Sequence, residues 1–277
     1  HAALPEEGAY VFSMHVPPKA TREQILAMIE FEFEGRVPIK PEQAAYDFDI
    51  VSEQSQGGTE IAVVVFQKEL AERYVECCAK AGIELLSMEL EARSIARAVS
   101  PVGEECPAEL LADFGRERTG FAIIKNGVPI FTTTVGVGGK DLTRALVEKL
   151  GYTEDQARDF KNTQGLIPAP GAEPATEAAM GIAAALSDEV LQHYHFWNTR
   201  RDEHGERATP LAGVLLVGGS ANMKGILEYV AGRVRAPVER PNVWRNVCTF
   251  DEYIPPVHRR ISLQYATAIG LALRNLV

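Results

Sequence analysis

The most reactive side chains of this chain do not form a recognisable catalytic set. His193 and His195 resemble a metal pair. Two residues apart on a helix, however, they are rotated by about 200°, so they face opposite sides and do not share an ion. Ser220 lies in GGSAN, where Asn222 replaces the last glycine of a nucleophile elbow. The sequence therefore assigns no catalytic residue and no metal ligand.

The four cysteines, Cys77, Cys78, Cys106 and Cys248, lack Cys-x-x-Cys spacing. Cys77 and Cys78 are neighbours on a predicted helix and cannot comfortably face one ion. As disulfides they would be sparse for 277 residues, so a reducing compartment fits better. We expect the protein to lie in the cytoplasm.

Composition predicts a globular protein with an acidic surface. The chain is 46% apolar and 24% charged, with a net charge of −10 and a pI near 5.2. Because that charge repels phosphate backbones, we expect no nucleic-acid partner. No stretch approaches the roughly 20 apolar residues of a membrane span, and no signal peptide is visible. Any membrane association would go through a partner or through residues outside this sequence.

The first third of the chain predicts a small α+β module followed by a β-α unit. Thr21 and Gln24 form a capping box at the start of a helix that runs to about Gly35. The module strands are expected at Tyr10–Val16, Ala45–Val51 and Ile61–Phe66, the last two separated by a turn at Gly57-Gly58. The β-α unit is expected as a helix Gln67–Ala81, a strand Ile83–Leu90 and a helix Glu91–Val99.

After a linker at Pro101–Pro107 the pattern changes to three strands and a series of helices. Asn126-Gly127 predicts a hairpin turn. Strands are expected at Leu110–Asp113, Gly120–Lys125, Val128–Val135 and Gly213–Val217. Helices are expected at Lys140–Leu150, Thr153–Asn162, Thr176–Arg200, Met223–Val234 and Leu263–Leu276. The order matches the second half of a duplicated fold built from three antiparallel strands followed by alternating strands and helices.

Two polar loops allow simple interpretations. The run 200–207, RRDEHGER, mixes both charges around a glycine and predicts a surface hairpin. The run 255–260, PPVHRR, is interpreted as a connector, with a binding loop as the alternative.

Several stretches show a pattern typical of a known family. The first joins LPEEGAYVFSMHVPP to YDFDIV, and the second is AGIELLSMELEARSIARA, with Glu91 at an acidic position. The third is LLADFGRERTGFAIIKNGVPIFTTTVGVGGKDLTRAL, followed later by GVLLVGGSANMKGILEYV. In this order, over nearly the whole chain, they resemble the PilM family of type IV pilus assembly proteins, which are relatives of actin-like ATPases.

The resemblance implies an α/β, actin-like (ribonuclease H-like) fold with an inserted α+β module. Residues 1–66 would form the module, 67–107 the remainder of the first actin-like subdomain, and 108–277 the second, with a helical insertion at about 153–212. We expect the first strands of the N-terminal subdomain, with their phosphate loop, to be absent from this chain.

The resemblance also implies a nucleotide site, because glycine hairpins in this fold let backbone amides approach phosphate. Asp113 and Gly115 would form one hairpin, with the aspartate facing metal-bound water. Thr119 would offer its hydroxyl to phosphate, and Lys161 would flank the ribose. The adenosine would lie on Gly218, Gly219 and Ser220, ahead of a helix N-terminus. The implied ligand is ATP with Mg²⁺.

Several residues depart from the family pattern at this site. Arg116, Glu117 and Arg118 replace small residues, and Arg158 replaces an acidic ribose contact. Bulky side chains obstruct close backbone approach, although arginine can itself bind phosphate. We therefore expect weak or lost nucleotide binding and no enzyme activity.

The function implied by the resemblance is a scaffold of the inner-membrane platform of the type IV pilus. It would bind the N-terminal cytoplasmic tail of a PilN-like membrane protein, together with other pilus assembly proteins. The tail would lie between the module and its parent subdomain and add hydrogen bonds to a sheet edge. The strands Tyr10–Val16 and Ala45–Val51 are the candidates for lining that cleft.

Two alternatives remain open at this point. A sugar kinase-like phosphotransferase needs two phosphate loops and a carboxylate base, and only one loop is recognisable. A cell-division actin relative of the FtsA type has a similar insertion. The segment LQYATAIGLALRNLV, however, is nearly uncharged and does not predict a basic membrane-binding helix.

Overall fold

The computed structural model describes residues 1–54, 58–103, 105–201 and 207–276. Gly57 of the predicted turn and residues 202–206 of the predicted hairpin lie outside these ranges. The chain divides into two compact units. Unit 1 comprises His1–Cys106, Ala122–Thr133 and Thr267–Val277, and unit 2 comprises Pro107–Phe121 and Thr134–Ala266.

Most of unit 1 is built from the first hundred residues. Its elements there are β1 (Ala2–Leu4), β2 (Ala9–Val16), α1 (Arg22–Arg36), β3 (Ala44–Gln54), β4 (Gly58–Gln67), α2 (Lys68–Lys80), β5 (Met88–Leu90) and α3 (Glu91–Val99). The strands form an antiparallel sheet in the order β2-β4-β3 and a parallel pair of β1 with β5.

The three-stranded sheet packs one face against α1. The predicted capping box is confirmed, since Thr21 and Gln24 each accept a backbone N–H of the other. Alternation along β4 turns Ile61, Val63 and Val65 towards α1. They form a core with buried helix residues such as Ile29 and Phe33.

The strand predicted over Ile83–Leu90 is shorter than expected. Only Met88–Leu90 pairs, in parallel with Ala2–Leu4. Ile83 and Leu86 are largely exposed, and residues 83–87 lie outside the strand. The apolar pattern was therefore a misleading signal over the first five residues.

The rest of the chain forms β6 (Ala108–Phe114), β7 (Thr119–Lys125), β8 (Val128–Val135), α4 (Gly139–Leu150), α5 (Glu154–Thr163), α6 (Glu173–Thr199), β9 (Leu211–Val217), α7 (Ile226–Val234), β10 (Val238–Glu239), α8 (Arg259–Ser262) and α9 (Ala266–Leu273). The sheet has the order β10-β9-β6-β7-β8, with β9 parallel to β6 and β10 parallel to β9. Asn126 and Gly127 both have positive φ, as a type I′ hairpin turn requires.

Two predicted helices begin later in the structure than the sequence predicts. The helix expected from Met223 begins at Ile226, because Gly225 adopts a left-handed conformation with φ 84°. The helix expected over Leu263–Leu276 begins as a 3₁₀ turn at Leu263–Tyr265, and its α-helical part is α9 (Ala266–Leu273). Apolar residues occur on both sides of each start, which is why the sequence did not reveal the later starting points.

Glu6 is a buried carboxyl group in unit 1. It is 9% exposed and accepts the Ala92 N–H at the start of α3 at 2.7 Å. Burial, with the nearby Glu91 carboxylate, raises the pKa of Glu6 from 4.5 to about 8. The protonated form is therefore favoured in the folded state.

This pKa shift predicts a pH dependence of stability. The contribution of Glu6 is fully present below pH 4.5 and is lost as the pH rises towards about 8. The unfolding free energy of the wild type should fall by a few kcal/mol across this window, relative to Glu6→Gln. Urea denaturation at several pH values measures both proteins. If the unfolding free energies of the wild type and of Glu6→Gln changed with pH in the same way, the raised pKa of Glu6 would be contradicted.

Candidate functional site

A cavity of about 630 Å³ lies within unit 2, and we call it the unit 2 cavity. Its walls come from the β6–β7 hairpin, α4, α5, α6, the turn after β9 and α8. Its apolar lining consists of Phe114, Leu142, Ile182, Met223 and Ile261. Its polar lining includes Arg116, Glu154, Arg158, Lys161, Asn162, Ser220, Asn222, His258, Arg260 and Gln264. This mixture of apolar and cationic groups suits an amphipathic anion.

The β6–β7 hairpin and the turn after β9 meet at a glycine. Gly218 has φ 88°, and a Cβ there would overlap the Asp113 carboxylate and come within 2.6 Å of the Phe114 carbonyl oxygen. Asp113 is paired in register with Val217, just before that turn. The structure thus brings Asp113 and Gly218 together, although Asp113 is not among the cavity-lining residues.

A second contact joins the same two segments. The Ser220 hydroxyl donates to the Gly115 carbonyl at 3.0 Å. A Cβ on Gly139 would lie 3.1 Å from Ser220 Cβ, so α4 approaches the turn closely. Gly139, Gly219 and Ser220 all line the cavity. The predicted residues of the glycine turn therefore lie beside the predicted hairpin.

Thr119 and Lys161 are placed differently. Thr119 is completely buried, and its hydroxyl donates to the Val137 carbonyl at 2.7 Å. It does not line the cavity. Lys161 does line it, with its ammonium group donating to Thr143 Oγ1 at 2.8 Å and to the Gly139 carbonyl at 3.3 Å. Burial, with nearby Arg116 and Arg158, lowers the pKa of Lys161.

Sequence reasoning missed part of this cavity. The run 255–260, which we had interpreted as a connector, contributes His258 and Arg260. Arg260 donates to the Asn222 carbonyl at 2.8 Å, and Asn222 donates to the Arg260 carbonyl at 2.7 Å. The charged sequence HRR was a usable signal, but only the fold shows which wall it forms.

A second cavity of about 230 Å³ lies within unit 1, and we call it the unit 1 groove. It is lined by Leu4, Ala45, Tyr46, Asp47, Phe48, Asp49, Val64, Phe66, Ala71, Met88, Glu89, Leu90, Arg93, Arg97 and Arg274. One wall is β3 of the module, and the opposite wall comes from β1, β5 and α3. Tyr10–Val16, the other strand predicted to line the cleft, contributes none of these residues.

One end of the groove is formed by a buried ionic network. Glu89 and Arg97 have side chains only 6% and 10% exposed. Arg97, Ser94 and Arg274 all donate to the Glu89 carboxylate. Burial alone would raise the pKa of Glu89, but the hydrogen bonds from Arg97 and Ser94 outweigh it and the pKa is lowered. Glu89 is therefore ionised and fully partnered.

Within the described ranges no helix is long and apolar enough to span a bilayer. In the same ranges no three His, Cys, Asp or Glu side chains cluster to hold a metal ion.

The family model described as "Type IV pilus assembly protein PilM" matches residues 2–276. The chain belongs to the PilM family. This membership favours the PilM interpretation over the sugar kinase and FtsA alternatives. The matched residues include the linings of both the unit 1 groove and the unit 2 cavity.

Solved structures show the same fold. The "PilM-PilN type IV pilus biogenesis complex" matches 98% of this chain and 77% of its own, at 21% identity and a TM-score of 0.73. MreB5 of Spiroplasma citri bound to AMPPNP matches 75% of this chain and 64% of its own, at 16% identity and a TM-score of 0.57. EutJ from Carboxydothermus hydrogenoformans matches 90% and 72%, at 18% identity and a TM-score of 0.51. This PilM-family chain therefore has the α/β fold of actin-like ATPases.

The close contacts of Gly218 predict that substituting this residue lowers the stability of the protein. Gly218→Ala should destabilise the protein by about 2 kcal/mol or more, because positive φ and overlap with Phe114 both oppose a side chain. Gly181→Ala is the matched control, since Gly181 lies in α6 with open space around its Cβ position. That control should be unchanged or up to about 1 kcal/mol more stable. Equal unfolding midpoints for the two variants would contradict this account of the turn.

Proposed function

We propose that this PilM-family chain is a scaffold of the type IV pilus assembly platform, at the cytoplasmic face of the inner membrane. It holds the N-terminal cytoplasmic tail of a PilN-like membrane protein in the unit 1 groove. The observation that carries the proposal is a groove with an apolar floor beside an edge strand. The resemblance to a solved PilM–PilN complex supports the choice of partner.

The floor of the groove suits apolar side chains. Leu4, Phe66 and Leu90 form a buried cluster, with Met88 and Val64 packed against it. Each of these residues also lines the groove. Leu4, Phe66 and Leu90 are already buried, so a bound segment would cover the partly exposed Met88 and Val64, and each methylene that it buries gains about 0.8 kcal/mol.

The module wall suits an extended backbone. β3 is an edge strand of the three-stranded sheet. Ala45 pairs with Phe66 and Asp47 with Val64, so these side chains share the groove face of the sheet. An incoming strand can hydrogen-bond to the open edge of β3, while alternate side chains reach the apolar floor.

The groove also has charged groups that fix orientation. Asp49 accepts from Arg93 on α3 at 3.0 Å, so the two walls are joined by an ion pair. Asp47 has an exposed side chain paired with Arg22 at 2.8 Å. Such partly exposed pairs contribute little to stability and can exchange partners when a ligand arrives. Affinity then comes from the apolar floor and orientation from the charges.

The proposal predicts that filling the groove abolishes tail binding. Ala45→Trp places an indole on the groove face beside Phe66. The affinity for a synthetic peptide with the tail sequence of the cognate PilN-like protein should fall by about tenfold or more, which is about 1.4 kcal/mol. Isothermal titration calorimetry measures it.

Ala79→Trp is the matched control, because Ala79 is exposed on α2 and does not line the groove. It should bind the peptide like the wild type. Equal binding by both tryptophan variants would place the tail elsewhere. Absence of binding to the wild type would refute the proposed function itself.

Nucleotide binding in the unit 2 cavity is a second candidate function. The cavity volume of about 630 Å³ falls within the usual range for small-molecule sites. Arg116, Arg158 and Lys161 can contact phosphate oxygens, while apolar residues such as Ile182 and Met223 can contact a base. In this proposal the cavity binds the nucleotide weakly and does not hydrolyse it.

This second function predicts a role for Lys161. Lys161→Met should weaken ATP binding by about tenfold, since it removes the half-buried ammonium group that lines the cavity. Lys149→Met is the control, because Lys149 is exposed at the end of α4 and outside the cavity. Fluorescence titration with a labelled ATP analogue measures both. Equal affinities for the two variants would exclude Lys161 from the site.

A further inference from the structure

Cationic side chains approach the unit 2 cavity from three separate elements. Arg116 comes from the β6–β7 hairpin, Arg158 and Lys161 from α5, and Arg260 from α8. Arg158 and Lys161 are three residues apart and therefore share one helix face. Among the described lining residues, Glu154 is the one carboxylate. The lining is strongly cationic in a protein whose net charge is −10.

The backbone of Arg116 and the side chain of Lys161 both contact the start of α4. The Lys140 N–H donates to the Arg116 carbonyl at 2.8 Å, which fixes the hairpin against the helix. Lys161 donates to the carbonyl of the neighbouring Gly139. The lowered pKa of Lys161, caused by burial and then by Arg116 and Arg158, agrees with this clustering of like charges.

The backbone amides at this helix N-terminus are already used. The Gly139 N–H donates to the Gly115 carbonyl at 3.0 Å, and the Gly138 N–H donates to the Asp141 carboxylate at 2.9 Å. The backbone N–H groups of Gly138, Gly139 and Lys140 therefore all donate hydrogen bonds within the protein. At this end of the cavity anion recognition therefore falls to side chains, and arginine is the side chain best suited to phosphate oxygens.

The lining of the cavity is poorly suited to a divalent cation. Mg²⁺ in nucleotide sites is held by one or two carboxylates together with phosphate oxygens. Asp113, the carboxylate that the resemblance implied for this role, lies beside Gly218 and does not line the cavity. Glu154 lies on the same helix face as Arg158 and Lys161, so an added divalent ion would meet two cations there.

We propose that the unit 2 cavity binds its phosphate-bearing ligand through protein cations in place of Mg²⁺, so that nucleotide binding is independent of divalent metal. The proposal rests on the nucleotide-binding candidate function. It has a second consequence, because binding through exposed arginines releases counterions and weakens as salt rises.

The test is calorimetric titration of the full chain with ATP, with either Mg²⁺ or EDTA present at constant ionic strength. The dissociation constants should agree within about twofold, and both should rise steeply with added NaCl. Arg158→Gln should weaken binding by several-fold in both buffers. Arg144→Gln is the control, because Arg144 is exposed on α4 and outside the cavity, and it should leave both constants unchanged.

The outcomes separate the two claims. Binding that is at least about tenfold tighter with Mg²⁺ than with EDTA would overturn metal independence and leave nucleotide binding intact. Equal binding in the two buffers that Arg158→Gln does not change would also overturn the proposal, because the cations would not be the recognition groups. Absence of ATP binding in both buffers would overturn the nucleotide function together with this inference.

Discussion

The buried carboxylate of Glu89 is the interaction on which unit 1 depends. It is ionised in an environment that would penalise it heavily without partners. Arg97, Ser94 and Arg274 supply those partners from α3 and from the residue after α9. Such a network adds little net stability over an apolar core, but breaking it leaves an uncompensated charge. It therefore fixes one arrangement of β5, α3 and residues 267–276.

That arrangement determines the groove. Because Glu89 lies between Met88 and Leu90, holding its carboxylate also holds the apolar floor in place. The Asp49–Arg93 pair then ties the module strand to the same helix, α3. Binding of an extended tail needs both an apolar floor and an open strand edge at a fixed separation. A rigid groove of this kind lowers the cost of binding, because little ordering is left to do.

In unit 2 the segments beside the cavity are held together by close backbone contacts at glycines. Gly218 and Gly139 allow the β6–β7 hairpin, the turn after β9 and α4 to approach within van der Waals contact. The Ser220 hydroxyl completes this contact by bonding to Gly115. The cavity beside these contacts has a lining that mixes apolar side chains with the cations Arg116, Arg158, Lys161 and Arg260. The chain shares the fold of actin-like ATPases.

Local signals in the sequence predicted local structure well. Thr21 and Thr153 each begin a confirmed capping box, and Asn126-Gly127 forms the expected turn. The glycine turn and Lys161 were also expected near one another, and the structure places them around one cavity. These features depend on short motifs whose physics is nearly independent of the rest of the chain.

Features that depend on distant partners were not predictable. Arg274 reaches Glu89 across 185 residues, and no motif records that pairing. The exposed stretch that begins at Ile83 looks like a strand in sequence, because apolar content alone does not reveal whether a pairing partner exists. Thr119 matched a family hydroxyl, yet its position inside the hairpin turns it towards Val137.

Hydrogen exchange of the chain with and without the PilN-like tail peptide tests the central claim most directly, because exchange reports new backbone hydrogen bonds. The account predicts that the peptide slows exchange at the amides of residues 44–49, along the edge of β3, and leaves the amides around the unit 2 cavity unchanged. Slowed exchange confined to unit 2, or none at all under saturating peptide, would contradict it.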